Sequence, residues 1–202
     1  MKLYDSQMAP NPRRVRVFLA EKAIEVPVEQ VDLGKQQNSS PEFLAINPLG
    51  RVPVLELDDG THLAESVAIC RYFEETTPEP PLFGVGAQDR AVVEMWQRRM
   101  ESEVLNNIAG CFRNTHDYFK GRIQQVPDYG ELCRETASKR LAWLDEVLSD
   151  RKFVAGDRYS IADITAMVGI DFGRVTGIRL QPDQKNLARW HELVSARDSA
   201  SA

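Results

Sequence analysis

The segment 47–75, NPLGRVPVLELDDGTHLAESVAICRYFEE, limits the possible folds of this chain more than any other stretch. Within it, residues 52–57 predict a short strand, and residues 61–63 predict the strand that returns beside it. The sequence DDG at 58–60 predicts a tight turn, because Asp and Gly tolerate the positive φ that such turns need. A helix is expected to open at Glu65. The segment therefore predicts an antiparallel hairpin that leads directly into a helix.

Two features of this segment indicate a binding site. Pro53 comes at a strand start, where it cannot donate a ladder hydrogen bond. A cis bond before it would turn the Val52 backbone outward and offer its N–H and C=O groups to a ligand. Ser66 and its neighbours offer free N–H groups at a helix start, which favours a carboxylate. The alternatives are an edge-strand proline and an ordinary helix cap, and the residue types alone favour these alternatives.

Composition limits the class of partner. The chain has 202 residues, 43% of them apolar and 27% charged, which is typical of a soluble globular protein with one or two domains. The net charge of −5 disfavours nucleic acid but permits a small anionic ligand at a local basic site. The three cysteines form no CxxC pair, so a disulfide framework and a zinc site are not expected. No stretch predicts a signal peptide or a membrane span, and we expect a cytoplasmic protein.

The order of predicted elements divides the chain in two. The first part follows the pattern β-α-β-α-β-β-α, with its first helix at about 13–22. Residues 77–87, which contain three prolines and two glycines, are the best candidate for a linker. Beyond them we expect only helices, at about 89–118, 129–149, 160–175 and 184–195. Ser160 and Asp163 form a close relative of a capping box at the start of the third of these helices.

The sequence RVPVLELDDG, followed by L-A-E-S-x-A-I, resembles the glutathione-site signature of the cytosolic glutathione S-transferases. The similarity extends to SPEFLAINPLG, LYDSQMAPNPRRVRVFLAEK and FVAGDRYSIADI, so it covers nearly the whole chain. It implies an α/β thioredoxin-like domain at 1–77, of order βαβαββα, and an all-α helical domain at 86–202. It also implies a homodimer. The start of the chain and the hairpin are especially similar to the theta-like, yeast-type atypical members of the family.

The resemblance implies specific roles in binding glutathione. Val52 and Pro53 would pair with the backbone of its cysteinyl residue. Ser66 would receive the γ-glutamyl carboxylate, and Glu65 would receive the ammonium group.

Three further residues occupy positions that lie near glutathione in related proteins. Arg51 stands where the family often has Lys or Arg. Asn38 and Ser39 stand where related classes have His and Lys, so the usual basic contact with the glycine end is missing here. A solvated surface residue is an equal alternative for Arg51 and Asn38.

The residue that activates the thiol departs from the usual family pattern. Ala9 occupies the position of the common Ser or Cys, and alanine offers no donor. Tyr4 lies in a predicted strand and is expected to be structural. Asn11 is the first candidate to donate to the sulfur, with help from backbone N–H groups of the same turn. In the atypical members a water replaces the usual residue, and His116 would orient that water as a weak base. An exposed polar residue at a helix end is the alternative for His116.

The electrophile site is expected between the domains, with Met8, Ala9, Ala109 and Arg113 as its walls. The small residues Ala109 and Gly110 would leave space for an apolar group or allow close helix packing.

The function implied is a glutathione transferase, which adds the thiolate to a small electrophile or uses it against a hydroperoxide. No metal, nucleic acid or membrane partner is expected. A non-catalytic binding or regulatory protein is the alternative. A thiol reductase would need a reactive cysteine near Ala9, and the sequence has none there.

Overall fold

A computed structural model describes all 202 residues, which divide into two compact units. The first contains Met1–Pro81 and Asp198–Ala202, and the second contains Leu82–Arg197. No helix in the chain combines the length and apolar character needed to cross a bilayer.

The first unit contains a four-stranded mixed sheet. Its strands are β1 (Lys2–Asp5), β2 (Val28–Gln30), β3 (Val54–Glu56) and β4 (His62–Ala64), and they lie in the order β2-β1-β3-β4. β1 pairs with β2 in parallel, whereas the β1–β3 and β3–β4 pairs are antiparallel. The parallel pair needs a crossover connection, and the helix between β1 and β2 provides it. The predicted hairpin and element order are therefore confirmed.

Three α-helices belong to this unit: α1 (Pro10–Glu21), α2 (Pro41–Ile46) and α3 (Ser66–Thr76). α1 begins three residues earlier than the sequence predicts. Prolines are tolerated in a first helical turn, where N–H groups have no intrahelical partner, so Pro10 and Pro12 continue the helix instead of delaying it. Asn11 therefore lies in the first turn of α1, whereas the sequence placed it in the preceding loop.

A buried lysine connects α1 to the segment that follows α3. The side chain of Lys22 is inaccessible to solvent, and its Nζ lies 2.8 Å from Glu74 Oε2. The same ammonium donates to the carbonyls of Thr77 and Pro80 at 2.7 and 2.8 Å. Three acceptors, one of them charged, compensate the burial of this cation.

The last five residues pack in the first unit. Arg13 donates to the Ala200 carbonyl at 3.0 Å, and the Ser199 hydroxyl donates to Glu21. The sequence, in contrast, placed this tail in the helical domain. Small polar residues without periodicity carry no signal for such contacts, which depend on side chains distant along the chain.

The second unit consists of five α-helices and short helical turns. The helices are α4 (Gly86–Arg99), α5 (Asn106–Thr115), α6 (Pro127–Val147), α7 (Ile161–Phe172) and α8 (Lys185–Ser195). The sequence predicts one helix at 89–118. The structure instead shows α4 and α5 joined by a π-helical segment, Met100–Leu105. α7 is the central helix, because every residue from Ile161 to Ile170 is buried.

The start of α7 confirms the predicted capping box. The Ser160 backbone N–H donates to Asp163 Oδ2 at 3.0 Å. Asp163 Oδ1 accepts from the Val154 N–H at 2.8 Å and from Trp190 Nε1 at 2.9 Å. Asp163 is completely buried, and this burial raises the pKa of its carboxyl to about 6. One carboxylate therefore joins α7, α8 and the preceding loop.

Candidate functional site

The peptide that joins Val52 to Pro53 is cis and lies just before β3. Pro53 is buried, whereas Val52 is half-buried. The Val52 N–H and C=O groups make no hydrogen bond within the protein. A donor and an acceptor of one residue are thus available to pair with an extended peptide ligand.

The loop before Val52 is held by two asparagines. Asn47 is 5% exposed and donates from Nδ2 to the Arg51 carbonyl at 2.8 Å. Asn38 donates from Nδ2 to the Gly50 carbonyl at 2.8 Å. Gly50 has φ +59°, and a Cβ there would lie 2.8 Å from the Asn38 carbonyl oxygen, so this position requires glycine. The Nδ2 atom of Asn38 is therefore used to position the loop, while the side chain of Arg51 is exposed to solvent.

The start of α3 lies directly after β4. Glu65, the residue before the helix, has φ +69° and ψ 113°, a conformation that costs about 1–3 kcal/mol for a residue other than glycine. Its side chain is exposed. The first turn contains no acidic residue, so the unpaired N–H groups and the helix dipole favour an anion. Of the two residues that the sequence assigns to the γ-glutamyl end, Glu65 is the N-cap residue that precedes this turn, and Ser66 is its first residue.

Ser66 itself contacts a residue that the sequence analysis overlooked. Its Oγ accepts a hydrogen bond from Arg14 Nη1 at 2.9 Å. Arg14 lies in α1 and is completely buried. The sequence signal for its burial was its position four residues before Phe18, which places Arg14 on the side of α1 that carries this buried residue.

The start of α1 offers donors but no hydroxyl or thiol. Ala9 is the N-cap residue and makes no side-chain cap, and the first turn contains no acid. Pro10 and Pro12 have no N–H groups, and the Arg13 N–H bonds to the Ala9 carbonyl at 3.2 Å. Asn11 therefore supplies the free backbone N–H of this turn as well as an exposed side-chain amide.

Tyr4 is structural, as the sequence indicates. It is 5% exposed, and its hydroxyl donates to Glu56 Oε2 at 2.8 Å. Burial raises the pKa of Tyr4, which opposes any role as a phenolate.

His116 follows the last residue of α5 and is exposed. Its Nδ1 accepts a hydrogen bond from the Tyr118 backbone N–H at 3.1 Å. A neutral imidazole whose Nδ1 is an acceptor carries its proton on Nε2. With this bond intact, His116 offers a donor to a nearby water and has no free basic nitrogen. The role of His116 in orienting a water stays a prediction, and in this geometry the group that it offers to the water is the Nε2–H donor.

The residues expected at the electrophile site lie on both units. In the first unit, Met8 is 80% exposed and Ala9 is half-buried. In the second unit, Ala109 is half-buried and Arg113 is exposed, both on α5. Their grouping into one site stays a prediction.

Gly110 allows close packing between two helices, whereas Ala109 is a predicted wall of the electrophile site. A Cβ at Gly110 would lie 2.8 Å from Cys133 Sγ on α6. Close packing of α5 on α6 therefore explains this glycine, which is the second of the two alternatives that the sequence left open.

No cysteine is suited to thiol exchange. Cys70, Cys111 and Cys133 are all buried. Burial raises the pKa of Cys70 to about 12, so its thiol is not ionised at neutral pH. A thiol reductase needs an accessible thiolate, and these positions argue against that activity.

The first unit is a mixed sheet with a cis proline before β3 and a helix after β4 whose first turn contains no acidic residue. This arrangement defines a thioredoxin-like binding unit, and the second unit is all helical. Two family models match: Glutathione S-transferase, N-terminal domain, over residues 9–76, and Glutathione S-transferase, C-terminal domain, over residues 108–198. The chain belongs to the glutathione S-transferase family.

Individual relatives agree with this assignment. Glutathione S-transferase 2 of Saccharomyces cerevisiae is 34% identical over 203 residues, which cover 98% of this chain and 87% of the relative. The crystal structure of Gtt2 from Saccharomyces cerevisiae matches with a TM-score of 0.95 and 34% identity over 100% of this chain and 99% of that one. A glutathione S-transferase domain-containing protein from Marinobacter aquaeolei VT8 matches with a TM-score of 0.94 and 38% identity over 98% and 99% of the two chains.

Proposed function

We propose that this chain is a glutathione transferase that binds glutathione, favours its thiolate and transfers it to a small electrophile or uses it to reduce a hydroperoxide. The observation that carries the proposal is the combination of the free Val52 backbone groups with the first turn of α3, which begins at Ser66 and contains no acidic residue. The relatives named glutathione S-transferases support the same activity.

Glutathione fits these groups chemically. Its cysteinyl residue would pair through N–H and C=O with Val52 beside Pro53, as an extended strand does. Its α-carboxylate would accept hydrogen bonds at Ser66, and its ammonium group would face the carboxylate of Glu65. Arg51, which is exposed, would approach the glycine end, and Asn38 would act through the loop that it holds.

Thiol activation would depend on the start of α1. A free thiol has a pKa of ~8.5, and hydrogen bonds to the sulfur together with a helix N-terminus lower it. Asn11 would donate to the sulfur from its side chain or backbone, and His116 would hold a water through Nε2–H. The thiolate attacks more readily than the thiol, while proximity of the two reactants supplies the rest of the rate.

The electrophile would be held by Met8 and Ala9 of the first unit and by Ala109 and Arg113 of the second. We further propose the functional domains 1–77 and 86–202, a cytoplasmic location and a homodimer that acts in detoxification. The non-catalytic binding protein is less favoured, because the pairs Val52-Pro53 and Glu65-Ser66 are all retained.

Retention on immobilised glutathione, followed by turnover of an aromatic halide and of an organic hydroperoxide, tests the proposal. We expect retention, turnover of at least one substrate, and a bound thiol whose pKa lies below ~8.5 when thiolate absorbance is titrated. Ser66→Ala should weaken retention, while substitution of the exposed Asp157 should not. Retention without turnover of any electrophile tried would favour the binding protein, and no retention would refute the glutathione site.

A further inference from the structure

Two buried cations, one in α1 and one directly after it, face α3. Lys22, the C-cap residue of α1, follows Arg14 by eight residues, and Glu74 follows Ser66 by eight residues on α3. Arg14 contacts Ser66, and Lys22 contacts Glu74. The equal spacing of the two pairs shows that the two helices lie side by side and run in the same direction. The residue of α3 that faces Lys22 is a carboxylate, whereas the residue that faces Arg14 is a neutral hydroxyl. That hydroxyl belongs to Ser66, the residue on which the proposed function places the γ-glutamyl carboxylate of glutathione.

The hydrogen bond between Arg14 and Ser66 has only one possible direction. A guanidinium has five N–H donors and no acceptor, and it stays protonated in proteins. Arg14 Nη1 therefore donates and Ser66 Oγ accepts, at 2.9 Å. The hydroxyl proton of Ser66 is left for another acceptor, and the protein supplies none. The bond thus turns the Ser66 hydroxyl into a donor.

Burial strengthens the attraction between the Arg14 guanidinium and an anionic ligand group on Ser66. Arg14 is completely buried and Ser66 is 5% exposed, so little water lies between the guanidinium and a ligand on Ser66. A carboxylate oxygen that accepts from Ser66 would lie within about 6 Å of Arg14 Nη1, the sum of two hydrogen-bond lengths. The positive charge of Arg14 also acts one turn further along α3. There it lowers the pKa of the Cys70 thiol, although the increase caused by burial is larger.

We propose that Arg14 is a positioning residue for glutathione: from behind the site, it orients the Ser66 hydroxyl as a donor to the γ-glutamyl carboxylate and adds its buried positive charge to the start of α3. The inference rests on the proposed function, because it needs glutathione to place that carboxylate on Ser66. Arg14 does not touch the ligand. Its contribution therefore concerns the affinity for the carboxylate and not the reaction of the sulfur.

The test uses two ligands and measures their affinities by calorimetry. One is glutathione, and the other is its analogue with the γ-glutamyl α-carboxylate converted to a carboxamide. Arg14→Gln is expected to weaken glutathione binding about 10-fold and carboxamide binding less than about 2-fold. The KM for glutathione should rise with kcat at saturating glutathione nearly unchanged. Arg14→Lys keeps the charge and should restore part of the preference for the carboxylate.

Lys22→Gln is the matched control. It removes the other buried cation that contacts α3, so it should lower the melting temperature and leave the ratio of the two affinities unchanged. Equal weakening of both ligands by Arg14→Gln, or by Arg14→Lys if the glutamine variant does not fold, would overturn the inference and leave Arg14 a purely structural role.

The wild-type protein separates this inference from the proposed function. If it binds glutathione but does not prefer it to the carboxamide, the carboxylate site on Ser66 and the role of Arg14 are both refuted, while glutathione binding stands. If it binds neither ligand, the proposed function is refuted as well.

Discussion

Asn11 is the residue on which the proposed thiol chemistry depends. Ala9 has no hydroxyl or thiol, and Pro10 and Pro12 have no N–H groups, so the first turn of α1 presents Asn11 as its donor. The absence of acidic residues in that turn leaves the helix dipole uncompensated, which also favours a thiolate. The chain would thus stabilise a thiolate without the usual serine, cysteine or tyrosine.

Substitution of Asn11 by Ala is expected to raise the pKa of the bound glutathione thiol by about 1 unit, because a hydrogen bond to the charged form is lost. Turnover should fall with a smaller effect on glutathione affinity. The measurement is a pH titration of thiolate absorbance in the complex. Gln7→Ala, which removes another exposed amide before α1, is the control and should change nothing. An unchanged thiol pKa in Asn11→Ala would exclude Asn11 from this role.

Single residues show where reasoning from the sequence succeeds and where it stops. The tolerance of Gly and Asp for positive φ located the hairpin turn. Such rules do not predict Glu65 or Arg14, because Glu65 has a positive φ although it is not a glycine. A buried arginine is exceptional in general and becomes understandable only when its contact with Ser66 is seen.

Among the helices, the π-helical segment Met100–Leu105 has a cause that the sequence contains. Trp96, Met100, Val104 and Ile108 are all buried and follow one another at intervals of four residues. In an α-helix, each such interval overshoots a full turn by about 40°, so the stripe would rotate away from the core. A wider turn keeps the stripe facing inward. The prediction of one continuous helix failed because it assumed a constant period.

At the start of α7, the buried carboxylate of Asp163 predicts a specific pH dependence of stability. Its pKa is raised from 3.8 to about 6 in the folded protein, so the folded state holds the proton more tightly than the unfolded state. The contribution of protonation to stability is therefore complete below about pH 4 and is lost as the pH rises through about 6, with a total of about 3 kcal/mol.

Asp163→Asn should remove this pH dependence and lower the free energy of unfolding at pH 7 by about 2–4 kcal/mol, since an amide N–H would face the Ser160 N–H. Denaturant unfolding at several pH values between 4 and 7 measures both effects. Asp157→Asn, at an exposed position, should follow the wild-type curve. Parallel curves for the wild type and Asp163→Asn would contradict this account.

Where α5 packs on α6, the sign of the stability change caused by Gly110→Ala is expected to depend on the side chain at position 133. Gly110→Ala places a Cβ against Cys133 Sγ, so the gain in helix propensity, about 1 kcal/mol, should be cancelled or exceeded by overpacking. In a Cys133→Ala background the nearest side-chain atom is the Cβ at 3.5 Å, and the same Gly110→Ala change should stabilise. Thermal unfolding of the four proteins measures this cycle. Additive effects would show that Cys133 does not limit the approach.

On the scale of the whole molecule, the sequence pattern predicted both units in outline because hydrophobic periodicity and turn residues are local signals. It missed the packing of the tail, Asp198–Ala202, in the first unit, since this depends on partners nearly 180 residues earlier in the chain.

The proposed homodimer predicts a mass in sedimentation equilibrium of twice the 22.8 kDa of one chain. A concentration-independent mass of one chain would contradict it.

The crystal structure of the protein with bound glutathione tests the central claim most directly. We expect the cysteinyl N–H and C=O groups of the ligand at hydrogen-bond distance, about 2.7–3.2 Å, from the carbonyl oxygen and nitrogen of Val52, with the γ-glutamyl carboxylate on Ser66 Oγ. A ligand bound elsewhere, or protein atoms filling the space beside Val52 and Ser66, would contradict the account.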